Sequence, residues 1–468
     1  MATRTKIVCT IGPATGSYEK VHALIDVGMQ VARLNMSHGS HADHARAIGW
    51  LHAARRERQI PLPILLDTQG PEVRLFLPPK QGKIMVHPGD YIQVVKEPAC
   101  PGEMKLTPHH IIEELPEGAL ILFDDGKISG RWSAGHRVEI KEGGELLDGK
   151  GVNFPHVALS LPAITAQDGL DIDFGLSQGI EGIAASFIRS ADHVIQVRNR
   201  LKKAGHPDCW IIAKLESALG VHAMQEILEV ADGLMVARGD LGVELPLKTV
   251  PRLQKEMIRR GYHAFKPVIT ATQMLESMIY QSQPTRAEVS DVANAIYDGS
   301  GGVMLSGETA VGAFPMKATE IMRQIVKETE EDLEEERPWL RERASESFST
   351  TPPSVALTSV QAAYSCGASA FIVLTTGGTT ARLVAGFRPQ LPILAITAHE
   401  HVYHQLGMVW GVIPLLAEIH GVGEGMRYGI DHLQKKGYVK RGERVVITAG
   451  GPVGREGTTN MLRIEVVE

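Results

Sequence analysis

Two apolar runs in the middle of the chain end in charge. Cys209-Trp210-Ile211-Ile212-Ala213 leads to Lys214 and Glu216, and Gly233-Leu234-Met235-Val236-Ala237 leads to Arg238 and Asp240. Burying charge at a strand end costs several kcal/mol unless a partner sits there. Other strand-length apolar runs finish alike: Arg33, Asn35 and Ser37 after one, Asp67 and Thr68 after the next, then Ser186 and Phe187, Thr272, and Ser306 with Glu308. Glu216 and Asp240, from neighbouring runs, suit magnesium, with room left for water and a substrate oxygen. Arg33, Arg74 and Lys214 suit an anionic substrate such as a phosphate or carboxylate. Asn35, Ser37, Asp67 and Thr68 are oxygen donors with one formal charge among them, a set suited to a monovalent cation.

The elements that must hold these residues repeat. Eight apolar runs, Lys6–Gly12, Val31–His38, Pro63–Gly70, Gly182–Arg189, Cys209–Glu216, Gly233–Gly242, Pro267–Met274 and Gly302–Thr309, alternate with amphipathic helical stretches. Strands alternating with helices imply parallel βαβ units, and eight of them predict a closed (β/α)8 TIM barrel with its chemistry at the C-terminal strand ends. Between the third and fourth runs lies a segment punctuated by Pro78, Pro79, Pro88, Gly89, Gly126 and Gly130, with short alternating strands such as Arg137–Lys141. This predicts a small β-barrel lid domain inserted over the barrel mouth. The acidic stretch Glu328–Glu336 reads as a solvated helix ending before Pro338. Beyond it, Ala370–Thr375, Pro392–Thr397, Val412–Leu416 and Arg444–Thr448 predict a C-terminal open-sheet α/β domain. The expected division is 1–69 with 155–337 for the barrel, 70–154 for the lid and 338–468 for the C-terminal domain.

The chain has 468 residues, more than one hydrophobic core holds, with 43% apolar and 22% charged residues and a formal net charge of −6. It has no Lys/Arg-rich block, which argues against nucleic acid or a membrane surface as partner. The apolar run Ile7–Ile11 is too short for a signal-peptide core, and no segment approaches a membrane span. Cys9, Cys100, Cys209 and Cys366 are far apart and form no CxxC pair, which fits reduced thiols in a cytoplasm. Gly144–Lys150 matches the start of a phosphate-binding P-loop, but Gly151 stands where Ser or Thr is required. His38, His41 and His44 have helical spacing and read as loop and helix-surface histidines rather than a zinc site.

The motifs together resemble the pyruvate kinase family over nearly the full chain. They are Thr5-Lys6-Ile7-Val8-Cys9-Thr10-Ile11-Gly12-Pro13, Arg33-Leu34-Asn35-Met36-Ser37-His38-Gly39, Asp67-Thr68-Gln69-Gly70-Pro71-Glu72-Val73-Arg74 and Ala185-Ser186-Phe187-Ile188-Arg189. They continue with Ile212-Ala213-Lys214-Leu215-Glu216, Met235 to Gly242, Ala271 to Met278 and Met304-Leu305-Ser306-Gly307-Glu308-Thr309. The likeness is to the bacterial type, and with the chain ending at Glu468 the additional C-terminal segment of some bacterial relatives is expected to be absent. It implies transfer of the phosphoryl group of phosphoenolpyruvate to ADP, giving pyruvate and ATP in glycolysis. By that likeness Glu216 and Asp240 hold magnesium (or manganese), and Asn35, Ser37, Asp67 and Thr68 hold potassium. Lys214 offsets charge on the phosphoryl group in flight and on the enolate, while Arg33 and Arg74 act near that group. Ser186, Gly239, Asp240 and Thr272 contact the substrate. Thr272 and Ser306 are candidates for the proton path, and His38, Arg74 and Asn35 lie near the nucleotide. Some members carry lysine where this chain has Glu72 and need no monovalent cation, so the acidic residue implies potassium dependence.

The same likeness makes Thr375, Thr376, Gly377, Gly378, Thr379 and Thr380 the effector turn for a phosphorylated allosteric ligand. The turn lacks the basic residue that some relatives carry. Ala449-Gly450-Gly451-Pro452 lacks the Trp-Arg pair of the fructose-bisphosphate-responsive animal forms, so the effector's identity stays open. A cytoplasmic homotetramer is implied as well. Two other readings keep part of this picture: a magnesium-dependent lyase or aldolase, and a non-catalytic effector-binding protein. The lid and the monovalent-cation residues argue against the first, and the retained Lys214, Glu216, Asp240 and Arg33 against the second.

Overall fold

Eight parallel strands, Lys6–Thr10, Val31–Asn35, Ile64–Asp67, Gly182–Ala185, Trp210–Leu215, Gly233–Ala237, Val268–Ala271 and Gly302–Leu305, pair in chain order and close with the eighth against the first. The computed structural model describes residues 3–336, 343, 346–450 and 457–468. Each of the eight apolar runs supplies one strand, and every strand stops before the last residues of its run. After Ala237, for example, the chain turns at once into the helix Arg238–Glu244. The pattern also sets direction. Trp210 and Ile212 face the barrel interior, where they pack with Val8, Leu65, Met235 and Met304, while Ile211 and Ala213 face the surrounding helices. Alternation then sends Lys214 inward, and by the same period Arg33 follows Val31, and Asp67 follows Leu65.

Between the third and fourth strands lies the β segment expected over the mouth. Its seven-stranded sheet runs, in spatial order, Val152–Asn153, Leu120–Phe123, Ile128–Ser133, Arg137–Glu142, Tyr91–Val94, Glu103–Thr107 and Arg74–Phe76. A ribbon of Lys83–Val86 against Gly144–Leu147 accompanies it, so the P-loop lookalike begins in a strand and leads to no helix. The segment has its own core, including Ile121, Phe123, Trp132 and Val138. Arg74 bridges Gly151, which brings the outgoing and returning chain together.

The C-terminal sheet has the order Val412–Leu416, Ile393–Thr397, Ala368–Leu374, Arg444–Gly450 and Thr459–Val466. The first four are the expected parallel strands. The fifth is an antiparallel edge strand that the sequence reading lacked, because Arg463 and Glu465 interrupt its apolar residues and most of it is half-exposed or exposed.

The acidic stretch is part of the helix Pro315–Glu336, yet it is not solvated throughout. Glu330 is buried and accepts hydrogen bonds from the backbone amides of Arg4, at 3.0 Å, and Thr5, at 2.5 Å. A carboxylate there satisfies donors that precede the first barrel strand, which hydropathy patterning does not reveal. The expected boundary at 337 and 338, with Pro338, lies outside the described residues, as do Gly451 and Pro452.

Candidate active site

Asp67 is the hub of the barrel mouth. It ends the third strand with no exposed surface. Its Oδ2 accepts from Arg33 Nε at 2.6 Å, and its Oδ1 accepts from Lys214 Nζ at 3.0 Å. Burial alone would raise the Asp67 pKa, but the two cations override it and the net shift is downward. Lys214 also donates to Ser186 Oγ at 2.7 Å and pairs with Glu216 Oε1 at 2.9 Å. Burial pulls the ammonium down, but Asp67 and Glu216 more than offset this and hold it charged. Arg33 Nη1 donates to Thr10 Oγ1 at 3.0 Å, so the first strand also fixes the guanidinium. Arg33, Asp67, Ser186, Lys214 and Glu216 thus form one network from four strand ends.

Glu216 has its second oxygen occupied by the Phe187 amide at 2.6 Å. Asp240, at the start of the helix Arg238–Glu244, lies beside Glu216. Burial and then the neighbouring Glu216 push Asp240 up to about 7. Two carboxylates this close hold each other only through a shared proton or a cation. An all-oxygen pair backed by an ammonium fits a hard divalent ion.

The residues expected to hold a monovalent cation are also brought together at their backbone. Asn35 and Asp67 are direct neighbours across the second and third strands, and the Met36 amide donates to the Asp67 carbonyl at 2.9 Å. Asn35 Oδ1 accepts from the Ser37 amide at 3.2 Å, and the Thr68 carbonyl accepts from Ser186 Oγ at 2.6 Å. Glu72 does not join them: it pairs with Arg74 at 2.5 Å.

Arg74 starts the lid sheet rather than the barrel, and it also donates to the Gly149 carbonyl at 3.0 Å. It shares with Asp240, His38 and Phe187 the lining of a cleft of about 610 Å³ between lid and barrel. A second cavity of about 720 Å³ is lined by Arg33, Asn35, His38, Ser306 and the Gly12–Pro13 turn. His38 borders both. Ser306 Oγ is buried there with no hydrogen-bond partner, while the Ser306 amide donates to Glu308 at 2.7 Å. Glu308 also accepts from the Leu275 amide at 3.0 Å, so its role is to brace two loops.

Thr272 lies just beyond the seventh strand with φ +62°, followed by Gln273 at +55°; Phe187 at the fourth strand end has +53°. Left-handed backbone at a β-branched residue costs on the order of 1–3 kcal/mol and must be imposed by its surroundings. Arg238 does the imposing. Its guanidinium donates to the Ala271 carbonyl at 3.2 Å and the Thr272 carbonyl at 2.6 Å, and Nη1 pairs with both oxygens of Asp291. Thr272 Oγ1 in turn accepts from the Gly239 amide at 2.9 Å. Arg238 therefore braces the site instead of facing the cleft. Asp291 comes from the helix Arg286–Tyr297 and carries no signal in the sequence, as it sits among ordinary helix-surface residues. Arg189, which closes the fourth motif, ties the lid's returning chain to the barrel through the Leu159 and Leu161 carbonyls, and Glu244, at the end of the helix Arg238–Glu244, accepts from Asn153.

The predicted effector residues form the turn between the strand Ala368–Leu374 and the helix Thr379–Gly386. Gly378 has φ +83° and donates to Thr375 Oγ1 at 3.0 Å, and Thr380 shares a 2.7 Å hydrogen bond with Thr459. Thr375, Thr376, Gly377, Thr379 and Thr380 line a cavity of about 130 Å³ with His399. Among the described residues no group of three or more His, Cys, Asp or Glu could hold a metal. His41 instead meets Asp171 at 2.7 Å, and His44 meets the His38 carbonyl at 2.8 Å. Cys9 and Cys209 are buried and all four thiols are free.

A closed (β/α)8 barrel with a buried cluster of cations and acids at its mouth, a β lid above and a separate open sheet below is the frame of a barrel enzyme acting on an anionic substrate. Residues 2–319 match the family model for the pyruvate kinase barrel domain, and residues 353–465 match that for the pyruvate kinase alpha/beta domain. The chain belongs to the pyruvate kinase family. It is 44% identical to the pyruvate kinase of Geobacillus stearothermophilus over 476 aligned residues, covering all of this chain and 81% of the relative. It is 40% identical to that of Chlamydia pneumoniae, covering all of this chain and 98% of the relative, and 39% identical to that of Clostridium acetobutylicum, covering 99% and 100%.

Proposed function

We propose that this chain transfers the phosphoryl group of phosphoenolpyruvate to ADP, with magnesium (or manganese) at Glu216 and Asp240 and potassium beside Asn35, Ser37, Asp67 and Thr68. The observation that carries the reading is the buried network in which Lys214 meets Asp67, Ser186 and Glu216 while Asp240 meets Glu216. Phosphoryl transfer needs positioning and charge stabilisation rather than a covalent nucleophile, and this mouth supplies both. The divalent ion, when bound, neutralises phosphoryl and carboxylate oxygens. Arg33 and Lys214 hold the phosphoryl group, while Ser186, Gly239, Asp240 and Thr272 orient the rest of the substrate. An ADP oxygen attacks phosphorus, and the bond from phosphorus to the enol oxygen breaks. The enolate left behind is balanced by Lys214 and takes a proton at carbon, for which Thr272 and Ser306 are the proposed route. His38, Asn35 and Arg74 are assigned to the nucleotide side.

In this reading residues 1–69 with 155–337 carry catalysis, 70–154 form the lid and 338–468 carry regulation by a phosphorylated ligand at Thr375–Thr380. A cytoplasmic homotetramer completes the proposal. No described helix is long and apolar enough to cross a membrane.

The test is coupled ATP formation from phosphoenolpyruvate and ADP, run in potassium and in choline buffer. Glu72 is held by Arg74, so no lysine at that position supplies the missing positive charge. The expected result is activity that depends on potassium; an unchanged rate in choline would remove the cation from the proposal. Failure to form any ATP would overturn the activity itself.

A smaller test addresses the brace. Arg238→Lys keeps a charge opposite Asp291 but loses the fork that holds the Ala271 and Thr272 carbonyls. Because small misplacements of reacting groups cost up to a hundredfold, kcat should fall on the order of 10- to 100-fold. Unfolding temperature should change little, and an unchanged kcat would show that the strained loop holds itself.

A further inference from the structure

The seam between the barrel floor and the C-terminal sheet gathers three cations, of which Arg388 is buried and Arg382 and Lys266 are half-buried. A cavity of about 30 Å³, partly open, is lined by Arg382, Arg388 and Lys266, together with Tyr262, Phe265 and Trp410. It shares no lining residue with the effector turn or with either cavity at the barrel mouth. No acid lines it. Arg388 is buried, donates to the Gly299 carbonyl at 2.6 Å and stacks over Trp410. Arg382 lies over Trp210, and its Nε is buried with no hydrogen-bond partner. The Lys266 ammonium is satisfied by the Leu228 and Ala231 carbonyls, which carry no net charge.

The nearest acids are already committed. Asp232 attracts Arg382 and Lys266, but its carboxylate is bonded to Arg198 and to the Ile211 amide. Glu330 attracts Arg388 but serves the Arg4 and Thr5 amides. Glu229 and the Tyr262 hydroxyl are the other groups that favour these charges, and Arg198 opposes them. Burial pulls all three cations below their ordinary values, Arg388 to about 10. Cations left short of counter-charge in low dielectric are costly unless an anion joins them.

We propose that this seam is a binding site for a small tetrahedral oxyanion of the phosphate class, held by Arg382 and Arg388. Guanidinium forks match tetrahedral oxyanions well, and the free Arg382 Nε is a donor waiting for an acceptor. A water site needs about 10–15 Å³, so the cavity takes an ion replacing roughly two waters and excludes a sugar or a nucleoside. Arg382 lies in the helix Thr379–Gly386, whose first residues form the effector turn, so the ion would anchor that helix against the barrel.

Crystals of the full chain soaked in sodium tungstate test this through anomalous scattering, with and without competing inorganic phosphate. A peak against Arg382 that phosphate displaces, and that is lost in Arg382→Met while peaks at other sites persist, is the expected result. Should that variant fail to fold, Arg382→Lys, which keeps the charge but not the fork, should weaken the same peak. Tungstate found only at the barrel mouth or the effector turn would overturn the proposal, as would a seam peak indifferent to phosphate or to the substitutions.

Discussion

Lys214→Met should fold normally and lose about 10²- to 10³-fold in kcat, the scale expected when one preorganised charge stabiliser is removed. The fold should survive because each acid it touches has another partner: Asp67 keeps Arg33 at 2.6 Å and Glu216 keeps the Phe187 amide at 2.6 Å. The activity should not survive, since no other ammonium reaches this point among the described residues. Steady-state assays beside circular dichroism separate the outcomes. A kcat within a few-fold of the parent would show that Lys214 is only a structural counter-ion for Asp67. A large rise in the Michaelis constant for phosphoenolpyruvate with kcat intact would place its contribution in ground-state binding rather than in the transition state.

Glu216→Gln should have an effect of similar size by a different route. The amide still accepts from the Phe187 backbone and keeps the shape, but it halves the acidic pair with Asp240 and removes one counter-charge from Lys214. Even groups that only orient metal ligands are worth 10- to 100-fold in affinity, so the magnesium concentration for half-maximal rate should rise by about 100-fold or more. Raising magnesium should recover part of the activity, which it should not do for Lys214→Met. Direct titration with manganese, followed by its paramagnetic signal, gives a readout independent of turnover. Unchanged manganese affinity in Glu216→Gln would move the divalent site elsewhere.

Much of this arrangement was written in one dimension. Eight apolar runs of strand length with helical spacing between them imply a barrel, because a parallel sheet buried on both faces needs such runs. The period of two then sends Lys214 to the side on which Trp210 and Ile212 lie. The lid and the C-terminal sheet were announced by a change in texture. The edge strand Thr459–Val466 was not, since a strand covered on one side only carries a weak apolar pattern.

The chain alone therefore determined which residues end the strands and which way they point, as both follow from local periodicity. Tertiary structure decided what each meets there. Asp67 turns out to hold Arg33 and Lys214 at once, Arg238 turns away from the cleft to clasp the Thr272 loop, and Glu330 is drawn out of an acidic surface to serve buried amides. Those outcomes depend on residues tens to hundreds of positions apart competing for the same charge. Such a competition is settled by distance and burial in the folded molecule, quantities that the order of residues does not contain.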